Sequence, residues 1–308
     1  MIVQIMLLVV GFLLLIKGAD YFVGGASGIA TKFKIPQIVI GLTIVAFGTS
    51  APEAAISIQS AMLGQAGISI GNVVGSNIMN ILLILGLTAL ITPVPVKRST
   101  FRYEMPFVVG VTILLLLLGM NQGQVSRLDG GILWIVFLGF FVYLLKLAKS
   151  GEETFEEEVM EGSLLKLIVM TLLGLCAIVW GSDLTVDAAT KIAEAIGVSD
   201  RIMGLTIVAF GTSLPELVTS VTASLKGKTD IAIGNIVGSN IFNILFVIGT
   251  ASLISPIPFA NKFIFDCIVA IATAALLWVL CLPKKKLTRS SGVIMLIAYF
   301  MYLSVTIF

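Results

Sequence analysis

The dominant pattern along this chain is a series of long apolar stretches separated by short polar or glycine- and proline-containing segments. Each stretch has roughly the 20 residues that a helix needs to cross a bilayer, and few of them carry charges. The pattern predicts an all-α, multi-pass membrane protein. The ten transmembrane helices that it predicts lie at 2–30, 36–63, 67–91, 104–120, 129–148, 164–193, 199–226, 230–254, 262–282 and 290–307.

The polar positions within this pattern occur twice. The stretch GLTIVAFGTSAPE at 41–53 returns as GLTIVAFGTSLPE at 204–216, and ISIGNVVGSNIMNILLILG at 68–86 returns as IAIGNIVGSNIFNILFVIG at 231–249, both at an offset of 163 residues. Internal repeats of this kind are typical of secondary transporters. The predicted organisation is a first five-helix repeat at 1–150, an acidic cytoplasmic linker at 151–163 and a second five-helix repeat at 164–308.

The number of helices in each repeat sets the topology. Because five is odd, the second repeat enters the membrane from the opposite side, so the two repeats are inverted. Most of the 19 Lys and Arg residues fall in loops on one side of the predicted topology, such as 97–98 and 284–286. The positive-inside rule places these loops inside and both termini outside the cell membrane. We expect the apolar N-terminal stretch to be the first span, because it lacks the features of a cleaved signal peptide.

Composition narrows the chemistry. The chain is 58% hydrophobic and 12% charged, and it contains no histidine, which excludes Ser-His and Cys-His catalysis. Its three cysteines lie in apolar segments without CxxC spacing, which argues against a zinc site or a disulfide framework. No basic stripe indicates a nucleic-acid partner. We expect no prosthetic group and a monomer in the lipid bilayer.

Two carboxylates interrupt the apolar pattern at equivalent positions, Glu53 and Glu216. A charge in mid-span costs about 2.5–3.5 kcal/mol on insertion scales, so it indicates a functional site by default. Inverted symmetry brings the two segments to the bilayer midplane facing each other. Two carboxylates there repel each other strongly unless a cation lies between them, and a divalent cation balances both charges.

The neighbours of these carboxylates carry oxygen ligands. Thr49 and Ser50 precede Glu53 by one helical turn, and Thr212 and Ser213 precede Glu216 in the same way. Prolines at 52 and 215 remove a backbone N–H, so the carbonyls at 46–49 and 209–212 are expected to lose helix partners and to face an ion.

The following helix of each repeat adds amides and hydroxyls at helical spacing. These residues are Asn72, Ser76 and Asn80 in the first repeat and Asn235, Ser239 and Asn243 in the second. Asn72 and Asn235 are either ligands or hydrogen-bonding links between helices. A set made only of oxygens suits Ca²⁺ and Na⁺ and disfavours soft metals.

Four further carboxylates lie in or beside the spans. Asp20 and Asp183 repeat at the same offset near glycines and span ends, where a structural or an entrance role is open. Glu104 and Asp266 have no counterpart in the other repeat and are expected at the membrane interface.

The paired motifs GTSAPE…GNVVGSNIMN and GTSLPE…GNIVGSNIFN resemble the α-repeats of the cation/Ca²⁺ exchanger superfamily, in its sodium/calcium exchanger branch. The resemblance implies a ten-helix fold, a central Ca²⁺ site flanked by Na⁺ sites, and a first and sixth helix that slide past the core. For Ca²⁺ it implies the side chains of Glu53 and Glu216 with the carbonyls of Thr49 and Thr212. For Na⁺ it implies Ala46, Thr49, Ser50, Glu53, Ser76, Asn80, Ala209, Thr212, Ser213, Glu216, Ser239 and Asn243.

The sequence thus predicts a Na⁺/Ca²⁺ antiporter that exchanges several Na⁺ for one Ca²⁺ at a shared site by alternating access. Potassium-dependent members of the family have an aspartate where this chain has Asn243, so K⁺ dependence is not expected. Proton-coupled relatives resemble GNxxE where this chain has GTSxPE, which favours Na⁺. The first alternative is a Ca²⁺/H⁺ antiporter. More distant alternatives are a channel and an intramembrane enzyme that uses the glutamate pair.

Overall fold

The computed structural model describes residues 2–149, 163–197 and 209–307, and helices make up most of this part of the chain. In chain order they are α1 Ile2–Phe33, α2 Gln37–Thr49, α3 Ala51–Met62, α4 Gly67–Ile91, α5 Thr100–Gln122, α6 Arg127–Lys149, α7 Leu164–Ala195, α8 Ala209–Thr212, α9 Leu214–Leu225, α10 Thr229–Ile254, α11 Asn261–Cys281 and α12 Arg289–Ile307.

The helices confirm the all-α, multi-pass fold. Within the described ranges, eight helices are long and apolar enough to cross a membrane, and α2 with α3 makes a ninth span that bends by 51°. The helix predicted at 199–226 begins outside the described residues, and α8 and α9 form its described part. The predicted linker at 151–163 also lies outside them, except for Ser163, whose side chain caps α7 by accepting the N–H of Lys166 at 3.2 Å.

Helices α4 and α10 form the centre of the molecule. The share of the apolar window that is buried within the protein is 78% in α4 and 94% in α10, against 22% in α1 and 28% in α7. A span buried on nearly all sides has few lipid-facing positions, and both central helices accordingly carry the polar GNxVGSN segments. The polar residues of the repeats therefore lie in the interior of the bundle.

Helices α1 and α7 pack against each other far more extensively than against the rest of the protein. They are antiparallel, since Gly11 of α1 lies against Gly181, and Gly18 lies against Gly174. A Cβ atom built on Gly174 would lie 2.4 Å from the backbone nitrogen of Phe22, so only glycine permits this approach. The two long helices thus form one unit at the side of the core.

Two short antiparallel strand pairs join the halves. β1 Val94–Pro95 pairs with β4 Lys286–Leu287, and β2 Gln124–Val125 pairs with β3 Ile257–Pro258. Because the 23-residue helix α5 separates β1 from β2, by about 35 Å at 1.5 Å per residue, the two pairs lie at opposite ends of the bundle. At one end the first strand of the first half pairs with the second strand of the second half, and at the other end this order is reversed. Inverted repeats require this exchange.

Glu104 lies in the first turns of α5, which begins at Thr100 instead of the predicted 104. It is fully buried within the protein and accepts a hydrogen bond from the hydroxyl of Tyr143 on α6. Its expected position at the membrane interface stays a prediction. Asp266 on α11 likewise accepts a hydrogen bond from Tyr302 on α12, at 3.1 Å.

Candidate cation-binding site

The break between α2 and α3 positions Glu53. Ser50 leaves the helical conformation with φ −83° and ψ 9°, and Pro52 occupies the first turn of α3, where a missing N–H costs no helical hydrogen bond. Glu53 lies in the same turn, close to the partial positive charge of a helix N-terminus. Glu216 occupies the equivalent place in α9, after Ser213 and Pro215. Both glutamates are completely buried.

The two carboxylates are bonded across the halves. The hydroxyl of Ser50 donates to Oε1 of Glu216 at 2.8 Å, and the hydroxyl of Ser213 donates to Oε1 of Glu53 at 3.4 Å. Each serine therefore contacts the glutamate of the opposite repeat, and the two acidic groups meet at one place. The second oxygen of each carboxylate, Oε2, is buried and accepts no hydrogen bond within the described part of the chain.

Thr49 lies next to this pair and is also buried. Its hydroxyl lies 2.9 Å from Oδ1 of Asn235 and 3.1 Å from the carbonyl oxygen of Val45. Its counterpart Thr212 is half-buried at the end of α8, where it lines a cavity. The two threonines therefore differ in their exposure.

Asn72 and Asn235 act as links between helices. The amide nitrogen of Asn72 donates to the carbonyl oxygen of Glu53 at 3.2 Å and to Ser57 at 3.0 Å. The amide nitrogen of Asn235 donates to the carbonyl oxygen of Glu216 at 3.4 Å and to Ser220 at 3.0 Å. Of the two roles that the sequence left open, these bonds favour the linking role, which holds the backbone of each glutamate.

The carbonyl of Ala46 differs from the sequence-based expectation. It was expected to lose its helix partner, yet it accepts the N–H of Ser50 at 3.0 Å. The N–H of Ser213 bonds the carbonyl of Phe210 at 3.2 Å, so the turn before Glu216 is wound differently. The hydroxyl of Ser239 also lies 3.4 Å from the Ala46 oxygen. Ala46 therefore has only residual acceptor capacity for an ion. The backbone of Ala209 begins α8.

The remaining polar residues of α4 and α10 are buried in the same region. Ser76 and Ser239 are buried, and Asn80 and Asn243 are completely so. The Oδ1 atoms of Asn80 and Asn243 accept no hydrogen bond within the described residues. The segment that begins at Asn243 packs on α3, which carries Glu53, and the segment that begins at Asn80 packs on α9, which carries Glu216. Two carboxylate and two amide oxygens are thus left without donors in one buried region.

This arrangement fits a hard cation. A buried oxygen without a donor is costly, and a buried carboxylate without a counter-charge costs several kcal/mol. Ca²⁺ and Na⁺ bind such oxygens and supply the missing positive charge. The described residues contain no cluster of three His, Cys, Asp or Glu that could hold a metal ion. A site here therefore depends on amide, hydroxyl and carbonyl oxygens around only two carboxylates.

Asn77 and Asn240 were not among the residues that sequence reasoning selected. Both are buried and bonded to each other and to the amides at 80 and 243. The signal was present in the sequence, since Asn77 and Asn240 follow Ser76 and Ser239 directly and share the 163-residue offset. It was overlooked because the partners of Asn77 and Asn240 lie in the opposite repeat, which no local spacing shows.

The repeated aspartates have different surroundings. Asp20 forms an ion pair with Lys226 at 2.6 Å, so a structural contact accounts for it. Asp183 lines a cavity of about 390 Å³ beside α7, together with Asp187, and this cavity extends to Pro52 and Thr212. The two repeated aspartates therefore do not have equivalent surroundings.

The chain is similar to known cation exchangers over nearly its whole length. The family model described as "Sodium/calcium exchanger protein" matches residues 3–146 and 166–308. The putative antiporter CaxA of Alkalimonas amylolytica is 41% identical over 313 residues, which cover 98% of each chain. The sodium/calcium exchanger MaX1 of Methanosarcina acetivorans is 33% identical over 344 residues, again covering 98% of each chain.

A solved structure has the same fold. The sodium-calcium exchanger NCX_Mj, soaked with 2.5 mM Na⁺ and 10 mM Sr²⁺, superposes with a TM-score of 0.87 at 33% sequence identity. The alignment covers 98% of both chains. The similarity therefore extends over nearly the whole chain.

Proposed function

This chain belongs to the sodium/calcium exchanger protein family, and from that premise we propose that it is a Na⁺-driven Ca²⁺ antiporter of the cell membrane. The observation that carries the proposal is the pair of buried glutamates, one from each repeat, whose Oε2 atoms have no donor within the described residues. Because the family consists of exchangers, it gives no support to the alternative of an intramembrane enzyme.

The proposed Ca²⁺ site lies between Glu53 and Glu216, with the carbonyls of Thr49 and Thr212 as further ligands. The proposed Na⁺ sites surround it and share both carboxylates. Their residues are Ala46, Thr49, Ser50, Glu53, Ser76, Asn80, Ala209, Thr212, Ser213, Glu216, Ser239 and Asn243. One Ca²⁺ or two Na⁺ balance two carboxylates, so the two kinds of ion compete for the same charge. A third Na⁺ makes the exchange electrogenic and allows the Na⁺ gradient to expel Ca²⁺.

Coupling follows from the cost of the empty site. Without a cation the two carboxylates would have to pass through a closed, low-dielectric state with uncompensated charge. A loaded site has no such penalty, so the protein changes its access only when it carries Ca²⁺ or Na⁺. This difference separates an antiporter from a channel, since a channel conducts without an obligatory exchange of ions.

We propose that α1 and α7 move together past the core to alternate the access. Support comes from their glycine-lined contact with each other and from their much smaller contact with the other helices. The cavity beside α7 extends to Thr212 and Pro52, which would connect the site with the side that the charge distribution assigns to the outside. A second cavity of about 220 Å³ lies beside α1 and is lined by Lys226 and Lys228.

The ion pair between Asp20 and Lys226 ties α1 to the end of α9. Lys226 also donates to the carbonyl oxygen of Asp20 at 3.0 Å. Its counterpart in the first repeat is Leu63. Since the pair must break when α1 moves, Lys226→Leu is expected to speed Ca²⁺ self-exchange in proteoliposomes. Part-exposed pairs contribute about 0.2–1 kcal/mol, which corresponds to an increase of at most about fivefold.

Lys191→Leu is the matched control for this variant, because Lys191 pairs with Asp187 at 2.6 Å within the single helix α7. Its removal breaks an ion pair without releasing one helix from another. An unchanged rate in Lys226→Leu, or an equal increase in both variants, would show that the link does not restrain α1.

Potassium independence is proposed from Asn243. Asn243→Asp adds a negative charge to a completely buried position beside the carboxylate pair. We expect this variant to acquire a dependence on K⁺ or an altered Na⁺ requirement, whereas exchange by the unmodified protein does not respond to K⁺. The measurement is ⁴⁵Ca²⁺ uptake at clamped membrane potential with K⁺ and Na⁺ varied separately. An unchanged ion profile in the variant would contradict this role of Asn243.

The central experiment is ⁴⁵Ca²⁺ uptake into proteoliposomes that are loaded with Na⁺ and held at equal pH on both sides. A Na⁺ gradient should drive uptake, and collapse of that gradient should stop it. Uptake that follows a pH gradient and ignores Na⁺ would instead support the Ca²⁺/H⁺ alternative. Ca²⁺ movement that needs neither counter-ion would indicate a channel.

A further inference from the structure

Four asparagines connect α4 and α10 in the centre of the bundle: Asn77 and Asn80 from the first repeat, and Asn240 and Asn243 from the second. The amide nitrogen of Asn77 donates to the backbone carbonyl of Asn240 at 3.1 Å, and that of Asn240 donates to the carbonyl of Asn77 at 3.1 Å. The amide nitrogen of Asn243 donates to Oδ1 of Asn77 at 3.1 Å, and that of Asn80 donates to Oδ1 of Asn240 at 3.2 Å.

These bonds determine how each amide is turned. A backbone carbonyl can only accept, so the atoms of Asn77 and Asn240 that face the carbonyls are the NH₂ groups. Their Oδ1 atoms then point away and can only accept, which requires the NH₂ groups of Asn243 and Asn80 to face them. The Oδ1 atoms of Asn80 and Asn243 are consequently left on the opposite side of their amides, where they accept no hydrogen bond within the described residues.

The unpaired oxygens belong to the region of the glutamates. Asn80 and Asn243 each begin a wide π-helical turn, Asn80–Leu85 and Asn243–Ile248, of a kind that is frequent at functional sites. These turns pack on α9 and α3, the helices that carry Glu216 and Glu53. A reversed amide would direct an NH₂ group, the positive end of its dipole, towards a bound cation.

We propose that Asn77 and Asn240 are positioning residues, which hold the amides of Asn243 and Asn80 so that oxygen and not nitrogen faces the cation. The proposal rests on the cation site described under Proposed function. The action is crossed between the repeats, because Asn77 holds Asn243 and Asn240 holds Asn80. Asn77 and Asn240 are themselves turned by backbone carbonyls, which side-chain substitutions elsewhere leave in place.

The competing explanation is that the four amides only hold α4 and α10 together. Both explanations predict that Asn77→Ala weakens ion binding. They differ in how two substitutions combine, because a residue that acts through another has no further effect once its target is gone. If the amides only link the helices, the loss in affinity from one substitution should instead add to the loss from any other.

The test measures ⁴⁵Ca²⁺ binding to the purified full-length protein, and its displacement by Na⁺, for each single alanine variant and for the doubles. Loss of a residue that orients a metal ligand typically weakens affinity by about 10- to 100-fold. We expect a loss of this size in Asn77→Ala. It should appear mainly as a higher Na⁺ concentration needed to displace ⁴⁵Ca²⁺, because Asn243 is a proposed Na⁺ ligand. The double variant of Asn77 and Asn243 should bind no more weakly than Asn243→Ala alone. The double variant of Asn77 and Asn80 should combine both losses.

The same pattern is expected for the second crossed pair. Asn240→Ala should not weaken binding further when Asn80 has already been replaced by alanine. Thr112→Val serves as the control, because it removes a buried hydroxyl whose partner among the described residues is the carbonyl of Val108 in the same helix, at 2.7 Å. Thermal unfolding without Ca²⁺ and Na⁺ separates stability from binding. If Asn77→Ala does not fold, Asn77→Ser keeps a small hydrogen-bonding group and replaces it in the series.

Two outcomes overturn the inference and can be told apart from failure of the proposed function. Unchanged affinities in the folded Asn77 and Asn240 variants, or losses that add in every double variant, would exclude a positioning role while the site remains. Unchanged Ca²⁺ binding in Glu53→Gln and Glu216→Gln would remove the site itself, and the inference with it.

Discussion

Replacement of Glu53 or Glu216 by glutamine is expected to abolish Ca²⁺ exchange and to leave a folded protein. Glutamine has nearly the same shape and keeps a carbonyl oxygen, so the packing of the completely buried position is conserved. The substitution removes one of the two negative charges that balance Ca²⁺. A carboxylate and a divalent ion at 4 Å attract each other by about 8 kcal/mol at an effective dielectric constant of 20, so the loss in affinity is at least about a thousandfold.

Glu104→Gln provides a matched control for this prediction. Glu104 is also a completely buried carboxylate within a membrane helix, but it is bonded to Tyr143 and lies outside the proposed site. Na⁺-driven ⁴⁵Ca²⁺ uptake in proteoliposomes should be lost in the Glu53 and Glu216 variants and retained in Glu104→Gln. Normal uptake by either site variant would refute the assignment of the Ca²⁺ ligands.

The second large effect is expected from Gly238→Ala. A Cβ atom at Gly238 would lie 2.8 Å from both the Cβ atom of Ala46 and the Cα atom of Leu42, closer than such atoms can approach. The helices α10 and α2 would have to separate, because backbone and a short side chain cannot move aside independently. Ser239, which follows Gly238 and lies against the carbonyl of Ala46, would shift with them.

A displacement of about 1 Å at a site of this kind can cost about 100-fold in activity. We therefore expect Gly238→Ala to reduce Na⁺-driven ⁴⁵Ca²⁺ uptake by about 10- to 100-fold. Gly139→Ala is the control, since Gly139 on α6 is exposed and a Cβ atom there meets nothing within 4 Å among the described residues. Comparable uptake in both variants would show that the contact of α10 with α2 does not shape the site.

Most helix bounds could be predicted from the sequence to within a few residues, because the cost of exposing backbone polar groups to lipid makes each span a continuous apolar helix. The start of α5 differs by four residues, at Thr100 instead of 104, and the sequence pattern does not show that Glu104 is buried. Local propensity does not determine such a start, since the packing of α6 and the hydroxyl of Tyr143 help to stabilise the buried carboxylate.

The candidate site could be predicted in part for a related reason. Glu53 and Glu216 stand out because a charge in an apolar span is costly wherever the chain folds. The carbonyl of Ala46 was misjudged because the exact winding of the broken helix decides which N–H it accepts. Asn77 and Asn240 were overlooked because their partners lie in the opposite repeat and are not visible as local spacing.

The sequence by itself determined the bounds of most spans, the duplication and the two acidic positions, because hydrophobicity, periodicity and repetition are properties of the linear chain. Only the tertiary structure decided that Ser50 bonds Glu216, that Ser213 bonds Glu53, and which oxygens remain without donors. The physical reason is that these contacts join residues about 160 positions apart. Their geometry depends on how closely the glycines of α10 allow the two repeats to approach.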